Sequence, residues 1–325
     1  MKVFLTGVSG FLGSHISEIL LENKISLKVL VNKTPIPKFL NKKNLSIVND
    51  DLLNVESFKK EFNNFDYIIH TAASVLSDKK SFELNVIGTR KLAECAIEMG
   101  VKNFIFTSTR STIGISNPTT LSSENSTNFE NFLFSDGYID SKRKSENDLK
   151  SIFKDRKINY YCICPTALVG SRDIKPTPIG KFVNNIVENK VKFFIDGYIN
   201  IIDVRSAADL FVNILLQKVP TGKYGLGQHN IELSSLIKHL IPKKNKTFIN
   251  YPKKIPKFIV ELIKLILYFF PVLNRINPFF SYKKIVRLQK GYSCFESEKI
   301  YKACNFKKIN LDNLIKNLLS KNESN

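Results

Sequence analysis

The sequence predicts a doubly wound α/β fold, in which helices cover both faces of a parallel sheet. Short apolar segments recur along the first half of the chain, helical patterns separate them, and a glycine-rich turn follows the first segment. Apolar runs without alternation are typical of strands that are buried on both faces. Because crossovers between parallel strands are right-handed, the successive strands are expected to build one doubly wound sheet.

Six strands and four helices are predicted in the first part of the chain. The strands are Val3–Leu5, Leu27–Val31, Leu45–Val48, Tyr67–His70, Asn103–Thr107 and Tyr160–Cys164. The helices are Phe11–Glu22, Val55–Phe62, Phe82–Met99 and Gly137–Phe153. A helix between successive strands returns the chain to the starting edge of the sheet, so the strands are expected to run parallel.

After Pro165 the pattern changes, and a second, smaller domain is predicted. A helix is expected to end near Lys190, followed by a strand over Ile199–Ile202 and a helix over Ala207–Leu216. The predicted domains are a larger one of residues 1–165 plus about 200–222, and an interwoven α+β domain of about 166–199 plus 223–325.

The chain is strongly basic, with 49 Lys and Arg against 29 Asp and Glu and a net charge of +20. Two interpretations stay open: a solvated, lysine-rich surface that reflects AT-rich codon usage, or a patch for an anionic partner. Nucleic acid is disfavoured as that partner, because no nucleic-acid-binding motif is present and Lys greatly outnumbers Arg. Anionic lipid is the remaining candidate.

The five cysteines and four histidines indicate neither a disulfide framework nor a metal centre. The cysteine count is odd, no CxxC pair occurs, and the histidines are scattered. Lys2 leads directly into a strand, without the apolar region of a signal peptide. We therefore expect a reduced, cytoplasmic protein without a bound metal.

Residues 6–13 form a TGxxGxxG turn between the first strand and the first helix. The three glycines permit the sharp turn, the approach of a pyrophosphate and close helix packing. Because the N–H groups at a helix N-terminus attract phosphate, the turn predicts a dinucleotide site. The residues expected there are Gly7, Ser9, Gly10, Phe11, Leu12 and Gly13.

The end of the second strand, Val31-Asn32-Lys33, bears on the choice of cofactor. An acidic residue here would hold the ribose 2′-hydroxyl of NAD, and none is present. Lys33, helped by Lys38, is suited instead to the 2′-phosphate of NADP. The sequence therefore favours NADP over NAD.

Tyr138 and Lys142 form a YxxxK motif at the start of a predicted helix. The i, i+4 spacing places both side chains on one face of that helix. A free phenol titrates near 10, and the Lys142 ammonium and an oxidised nicotinamide ring both favour the phenolate and lower its pKa. We predict that Tyr138 is a general acid/base.

Together these motifs resemble the extended short-chain dehydrogenase/reductases, or NAD-dependent epimerase/dehydratase family, along the whole chain. The resemblance implies that Thr109 orients the reacting oxygen, with Ser108 as the neighbouring alternative, and that Asn85 supports the site through its NxxGT helix. It implies a structural role for His70. The further cofactor contacts that it implies are Asp51, Leu52, Thr71, Ala72, Ala73, Pro165 and Thr166.

A narrower resemblance links residues 170–180 and 200–205 to the hopanoid-associated sugar epimerases, a group close to dihydroflavonol 4-reductase. Asn32 departs from the Arg that is frequent in this group, and Ser206 departs from its common Asp. Sugar dehydratases of the wider family carry Asp-Glu after the catalytic Thr, whereas Arg110-Ser111 follow Thr109 here. The resemblance therefore disfavours dehydration.

The implied reaction is hydride transfer between a nicotinamide and a carbonyl or hydroxyl carbon of a small molecule. A reductase or dehydrogenase similar to dihydroflavonol reductase is favoured. The alternatives are a sugar epimerase, a hydroxysteroid or isoprenoid-lipid dehydrogenase, and a non-catalytic cofactor-binding protein. A homodimer is left open.

Residues 257–273 are strongly apolar, but they include Glu261 and Lys264 and are too few to span a bilayer, which takes about 20 apolar residues. Four polar residues at helical spacing, from Lys257 to Tyr268, form a narrow stripe. Two alternatives follow: a helix packed on the substrate domain, or an interfacial helix with peripheral membrane contact through residues 253–290.

Overall fold

The computed structural model describes residues 1–40, 43–115, 119–124, 126, 136–217, 219–241, 251–273 and 281–319. The strands are β1 Lys2–Thr6, β2 Ser26–Val31, β3 Leu45–Asn49, β4 Tyr67–His70, β5 Asn103–Thr107, β6 Asn159–Pro165, β7 Ala167–Val169, β8 Phe193–Phe194, β9 Tyr198–Asp203, β10 Gly222–Leu226, β11 His229–Glu232 and β12 Lys253–Lys254. The helices are α1 Phe11–Glu22, α2 Val55–Phe58, α3 Lys79–Phe82, α4 Thr89–Glu98, α5 Gly137–Ile152, α6 Pro178–Val187, α7 Val204–Gln217, α8 Leu233–Leu240, α9 Lys257–Phe269, α10 Tyr282–Gln289, α11 Glu298–Ala303 and α12 Leu311–Leu319.

The central sheet has seven parallel strands in the order β10-β6-β5-β4-β1-β2-β3. The chain builds outward from β1 in one direction and then, from β4, in the other direction. This arrangement confirms the predicted doubly wound fold. Ligands of such sheets bind beyond the carboxyl ends of the strands, at the point where the direction reverses. Here that point lies between β1 and β4.

Two apolar cores lie on the two faces of the central sheet, because successive side chains of a strand point to opposite faces. Val3 and Leu5 belong to the core beneath α1 and α7, whereas Phe4 belongs to the core on the other face. Strand β5 alternates in the same way, with Ile105 in the first core and Phe104 in the second. The five cysteines are buried as free thiols.

A smaller sheet in the order β11-β9-β7 forms the base of a second unit. It packs with α6, α8 and α12 around a third core that includes Val183, Leu236 and Leu314. Two strands lie across the expected domain borders. Strand β9, which was expected with the larger domain from about residue 200, pairs in the small sheet, whereas β10, beyond the border near 222, completes the central sheet.

The chain returns to the larger unit once more near its end. Ile300, Tyr301 and Cys304, from α11 and the residue after it, complete the core beneath α1 and α7. Phe295 fills the opposite core and lies so close to Gly225 of β10 that an added Cβ there would overlap its ring. The two units are therefore interwoven along the chain.

Helices α9 and α10 pack on each other through a small fourth core that includes Val260, Leu267 and Ile285. Within the described parts of the chain, no helix combines the length and the apolar character that crossing a membrane requires. The expected membrane-contact region, residues 253–290, includes residues 274–280, which lie outside the described residues.

Candidate active site

The glycine-rich turn packs against the end of the neighbouring strand β4. Gly7 has a φ of +86°, and a Cβ there would stand 2.5 Å from Thr71 Oγ1 and 2.6 Å from the Ala72 nitrogen. A Cβ on Gly13 would overlap the carbonyl of Gly7. A side chain at either position would push the turn away from the sheet, so both glycines are needed for this close approach.

Helix α1 begins at Phe11, directly after this turn. The first N–H groups of a helix have no partner within the helix, and the cap residue Gly10 offers no side-chain hydrogen bond. Ser9 donates to the Thr34 carbonyl at 2.8 Å, which ties the turn to the segment after β2. The open N–H groups and the helix dipole suit an anionic group such as a pyrophosphate.

The ends of β2 and β3 meet beside this turn. Asn32 Nδ2 donates to Asp51 Oδ2 at 2.9 Å, and Asp51 also accepts from the Leu53 nitrogen at 2.9 Å. Leu52 is buried between them and the sheet, whereas Lys33 is exposed. Lys175, which the sequence did not single out, donates to Thr34 Oγ1 at 3.1 Å. A second lysine therefore reaches the segment where Lys33 was expected to act.

His70 holds the carboxyl ends of β1 and β4 together. Its Nδ1 lies 2.6 Å from Thr6 Oγ1, and its Nε2 lies 2.8 Å from Thr89 Oγ1. Burial, together with the nearby positive charge of Lys142, lowers the pKa of His70 to about 3. The imidazole is therefore neutral and held at both nitrogens, as a structural role requires. Thr71 and Ala72 follow it at the edge of the turn, and Ala73 is exposed next to them.

Helix α5 brings Tyr138 and Lys142 to the carboxyl end of β5. Asp136 caps the helix by accepting from the Ile139 nitrogen at 2.9 Å. Lys142 Nζ donates to the Thr107 carbonyl at 2.7 Å and lies 4.7 Å from the centre of the Phe106 ring. Burial lowers the pKa of Lys142 to about 8. The YxxxK motif therefore lies beside the strand that carries the candidate Thr109.

The Tyr138 phenol is not activated by the protein alone. Burial, together with the negative charge of Asp136, raises its pKa to about 12. We expected a lowered pKa, because Lys142 and an oxidised nicotinamide favour the phenolate. The protein provides the apolar surroundings, so the lowering has to come from the positive charge of a bound cofactor.

Ser108 and Thr109 have different surroundings, which distinguishes the two candidates. The buried Ser108 hydroxyl donates to Glu146 and lies 3.3 Å from Thr112 Oγ1. Among the described residues, the half-buried Thr109 hydroxyl has only a long bond, which it accepts from the Ser111 nitrogen at 3.4 Å. Because Ser108 is held in the interior, Thr109 is the better candidate for contact with a substrate oxygen.

Asn85 lies in a π-helical turn, Glu83–Gly88, between α3 and α4. Such turns are rare and frequently mark functional sites. The buried Asn85 side chain exchanges two hydrogen bonds of 2.8 Å with the backbone of Ser74, and its Nδ2 donates to Ser141 Oγ at 3.0 Å. It therefore connects the loop after β4 with α5.

Glu146 and Lys223 form a half-buried ion pair behind the site that sequence reasoning missed. Lys223 Nζ donates to Glu146 Oε2 at 2.7 Å and to the Thr112 carbonyl at 3.1 Å. One signal was available: Glu146 follows Lys142 by four residues and therefore lies on the same face of α5. The pair fixes Ser108 and the turn that follows Thr109.

The segment after β6 completes the arrangement. Pro165 ends that strand, and the Thr166 nitrogen donates to the Leu226 carbonyl of β10 at 2.9 Å. Pro165 and Thr166 thus lie at the same edge of the sheet as the Gly7 turn, Lys142 and Thr109.

Comparisons with known proteins agree with this geometry. The model of the NAD-dependent epimerase/dehydratase family matches residues 3–227. A Synechocystis sp. protein named as a dihydroflavonol 4-reductase is 26% identical over 246 residues, which cover 73% of this chain and 71% of that protein. Sterol demethylase protein B of Methylococcus capsulatus is 26% identical over 211 residues, which cover 63% of each chain.

A solved structure, the crystal structure of gox2253, has the same overall fold. It superposes with a TM-score of 0.83 at 21% sequence identity and covers 98% of this chain and 97% of its own. The family match spans the glycine-rich turn, the YxxxK motif and six of the seven central strands completely. The chain belongs to the NAD-dependent epimerase/dehydratase family.

Proposed function

We propose that the protein is an oxidoreductase that moves a hydride between a nicotinamide cofactor and a carbonyl or hydroxyl carbon of a small molecule. The observation that carries this proposal is the bond of Lys142 Nζ to the Thr107 carbonyl. That bond sets the catalytic pair of α5 against the end of β5, two residues before Thr109. A proton donor, a cation and an oxygen-orienting hydroxyl are then available at one edge of the sheet.

The residues around the glycine-rich turn fit a dinucleotide. Gly7 and Gly13 leave no room for side chains, and the N-terminus of α1 offers N–H groups to a pyrophosphate. When bound, the nicotinamide would supply or accept the hydride. Lys142 can exchange its bond to the Thr107 carbonyl for ribose hydroxyls and keep the ring beside Tyr138.

Tyr138 moves the proton that balances the hydride. During reduction its hydroxyl gives a proton to the oxygen of the carbonyl, which becomes a hydroxyl, and Thr109 donates a hydrogen bond to that same oxygen. During oxidation the phenolate takes the proton back. Partial burial of Tyr138 supports this role because it limits the access of water to the phenol.

Arg110 supports oxidoreduction over dehydration. Dehydratases of the family that this chain resembles have acidic residues directly after the catalytic Thr. At those positions this chain has Arg110 and Ser111. Arg110 is buried and donates to the carbonyls of Ile113 and Cys294, at 3.1 and 2.8 Å. A structural cation at this position supplies no carboxyl group for the elimination of water.

A lipid substrate is a second candidate, because an exposed apolar helix connects to the catalytic helix. Arg287 of α10 lies 3.8 Å from Asp136, the cap residue of α5, and α10 packs on the apolar α9. One of the relatives is named sterol demethylase protein B. We therefore include polycyclic isoprenoid alcohols and ketones among the candidate substrates.

A substrate screen tests these proposals. Purified protein is incubated with NADPH or NADP⁺ and with aldehydes and ketones, nucleotide sugars, or polycyclic isoprenoid alcohols. An oxidoreductase consumes or produces NADPH in step with product. An epimerase instead converts a nucleotide sugar without net change in NADPH absorbance, and that result would contradict the proposed reaction.

A further inference from the structure

Helix α9 has its apolar side turned toward solvent. Of its apolar residues, only Val260 and Leu267 are buried. Leu262 and Leu265 are 56% and 54% exposed, whereas the side chain of Lys264 is only 19% exposed and donates to Gln289 of α10. The polar stripe is therefore covered at Lys264, whereas much of the apolar surface of the helix is uncovered.

The exposed apolar surface continues past the end of the helix. Large exposed apolar side chains cluster on α9 and in the residues directly after it. Exposed apolar patches of this kind mark sites that bind another surface. We call these residues the apolar face. They are Phe258, Ile259, Leu262, Leu265, Ile266, Tyr268, Phe269, Phe270, Val272 and Leu273.

Basic residues flank the apolar face along the chain, on both sides of it. Between Lys253 and Lys290 the sequence contains nine Lys and Arg residues and one acidic residue, Glu261. Glu261 is paired with Lys264 at 2.6 Å, so its charge is compensated locally. The exposed lysines of this region are Lys253, Lys254, Lys257, Lys283, Lys284 and Lys290.

The charge distinguishes between two occupants of the apolar face. A second copy of this chain would bring an equally basic rim against the first, in a molecule whose net charge is already +20, and like charges repel. An anionic bilayer offers hydrocarbon to the apolar residues and negative headgroups to the lysines at the same time. Charge complementarity therefore favours the bilayer.

We propose that α9 is an interfacial helix that attaches the protein peripherally to anionic membranes. Its 13 residues correspond to about 20 Å of helix, which is shorter than the hydrocarbon core of about 30 Å. The helix lies parallel to the membrane surface, with the apolar face among the acyl chains and the lysines at the headgroups. This inference does not depend on the proposed reaction.

Attachment in this way would also orient the catalytic helix. Arg287 connects α10 to Asp136, and Tyr138 follows Asp136 by two residues. The start of α5 therefore lies next to α10, the helix on which α9 packs. If the proposed oxidoreductase uses a lipid, the substrate would reach Tyr138 from the membrane.

Liposome co-sedimentation tests the attachment. The full-length protein is mixed with vesicles of phosphatidylcholine alone, or of phosphatidylcholine with phosphatidylglycerol, at low and at physiological salt. We expect binding to the anionic vesicles that is at least tenfold stronger than to the neutral ones and that weakens as salt increases. No binding to anionic vesicles at low salt would overturn the proposal.

Variants of exposed residues separate attachment from folding. Leu265→Glu and Phe269→Glu alter side chains that are more than half exposed, so the fold should persist, as circular dichroism and the unfolding midpoint would verify. Each should weaken vesicle binding at least tenfold, whereas Leu216→Glu, at an exposed apolar position of α7, should not. If either α9 variant unfolds the protein, the apolar face is core and the proposal is wrong.

Charge variants test the basic rim. Lys253→Glu with Lys257→Glu should weaken binding to anionic vesicles at least tenfold. Lys150→Glu with Lys316→Glu changes the net charge equally at exposed positions elsewhere and should have a much smaller effect. Equal effects of the two pairs would assign binding to net charge alone.

A dimer in light scattering that Leu265→Glu dissociates would assign the face to a second copy. Either result contradicts the proposal.

Discussion

Individual residues of the site have pKa values that differ from those of the same side chains in water. Burial raises the pKa of Tyr138 to about 12 and lowers the pKa of Lys142 to about 8. Both shifts favour the neutral forms in the absence of cofactor. A bound oxidised nicotinamide adds a positive charge beside the phenol, so proton transfer becomes coupled to the presence of cofactor.

Tyr138→Phe removes the proton donor while leaving the ring in position. We expect turnover to fall by about a hundredfold or more, since general acid/base catalysis contributes about that factor. Cofactor affinity should change little. The measurement is kcat with the substrate found in the screen, together with a fluorescence titration of NADPH. Normal turnover by the Phe variant would show that another group moves the proton.

His70 makes the folded protein sensitive to acid. Its pKa is about 3 in the folded state and ordinarily about 6.5, so below pH 6.5 the unfolded chain binds a proton that the folded chain does not. The free energy of unfolding should therefore fall as pH falls, by about 2 kcal/mol from this residue at pH 5. Urea unfolding at pH 7 and pH 5 measures the loss.

The matched variant for this prediction is His70→Asn, which can still hydrogen-bond to Thr6 or Thr89 but does not titrate. Its stability should be lower at pH 7, and it should change less between pH 7 and pH 5. If parent and variant lose stability equally over that interval, other groups cause the acid sensitivity.

Secondary-structure elements are positioned in the site by hydrogen bonds that cross between them. Asn85 joins the loop after β4 to α5, and the Glu146–Lys223 pair joins α5 to β10. Each contact fixes the direction in which α5 presents Tyr138. Small shifts of a catalytic group reduce rates strongly, so these contacts act on the chemistry without touching the substrate.

Asn85→Ala removes the two bonds to Ser74 and the bond to Ser141. At about 1 kcal/mol for each hydrogen bond, the free energy of unfolding should fall by about 2–3 kcal/mol. The value of kcat should fall at least tenfold, with little change in the KM for cofactor. Asn213→Ala is the control, because that side chain bonds only within its own helix. An unchanged kcat would show that Asn85 contributes to stability and not to catalysis.

The secondary-structure elements that are specified by a local sequence pattern could be predicted from the sequence. Apolar runs and the glycine turn identified β1 to β6, and the YxxxK spacing identified the catalytic face of α5. Strand β10 was not identified, because Gly222 and Gly225 interrupt its apolar pattern. Its position depends on a distant contact, the packing of Phe295 on Gly225. The exposure of α9 was likewise unpredictable, because periodicity does not tell which side a neighbour covers.

The whole molecule combines a family fold with an unusual charge. The site residues that follow from motifs could be predicted, including Tyr138, Lys142 and Asn85. The pairing of Glu146 with Lys223 and the contact of Lys175 with Thr34 could not be predicted, because each joins segments that are distant in sequence and adjacent in space. A sequence pattern indicates which residues are close along the chain, whereas a site of this kind brings together residues that are far apart in sequence.

Cofactor binding should stabilise the whole fold, since ligand binds only the folded state. At a hundredfold excess over Kd the gain is about 2.7 kcal/mol. We expect NADPH to raise the unfolding midpoint more than NADH does at equal concentration, because Lys33 and Lys175 lie near the expected 2′-phosphate. Lys33→Glu should shrink that difference, and Lys150→Glu should not. Equal shifts with both cofactors in the parent protein would remove the argument for NADP.

The interwoven chain also has a consequence for synthesis on the ribosome. The core beneath α1 and α7 is not complete until Ile300, Tyr301 and Cys304 have been added. At about 5–20 residues per second, β1 to β6 have to wait through much of translation for the residues that close their sheet and its cores. Until Gly222–Leu226 of β10 has been added, β6 is an open sheet edge of the nascent protein, and such edges can pair with other chains.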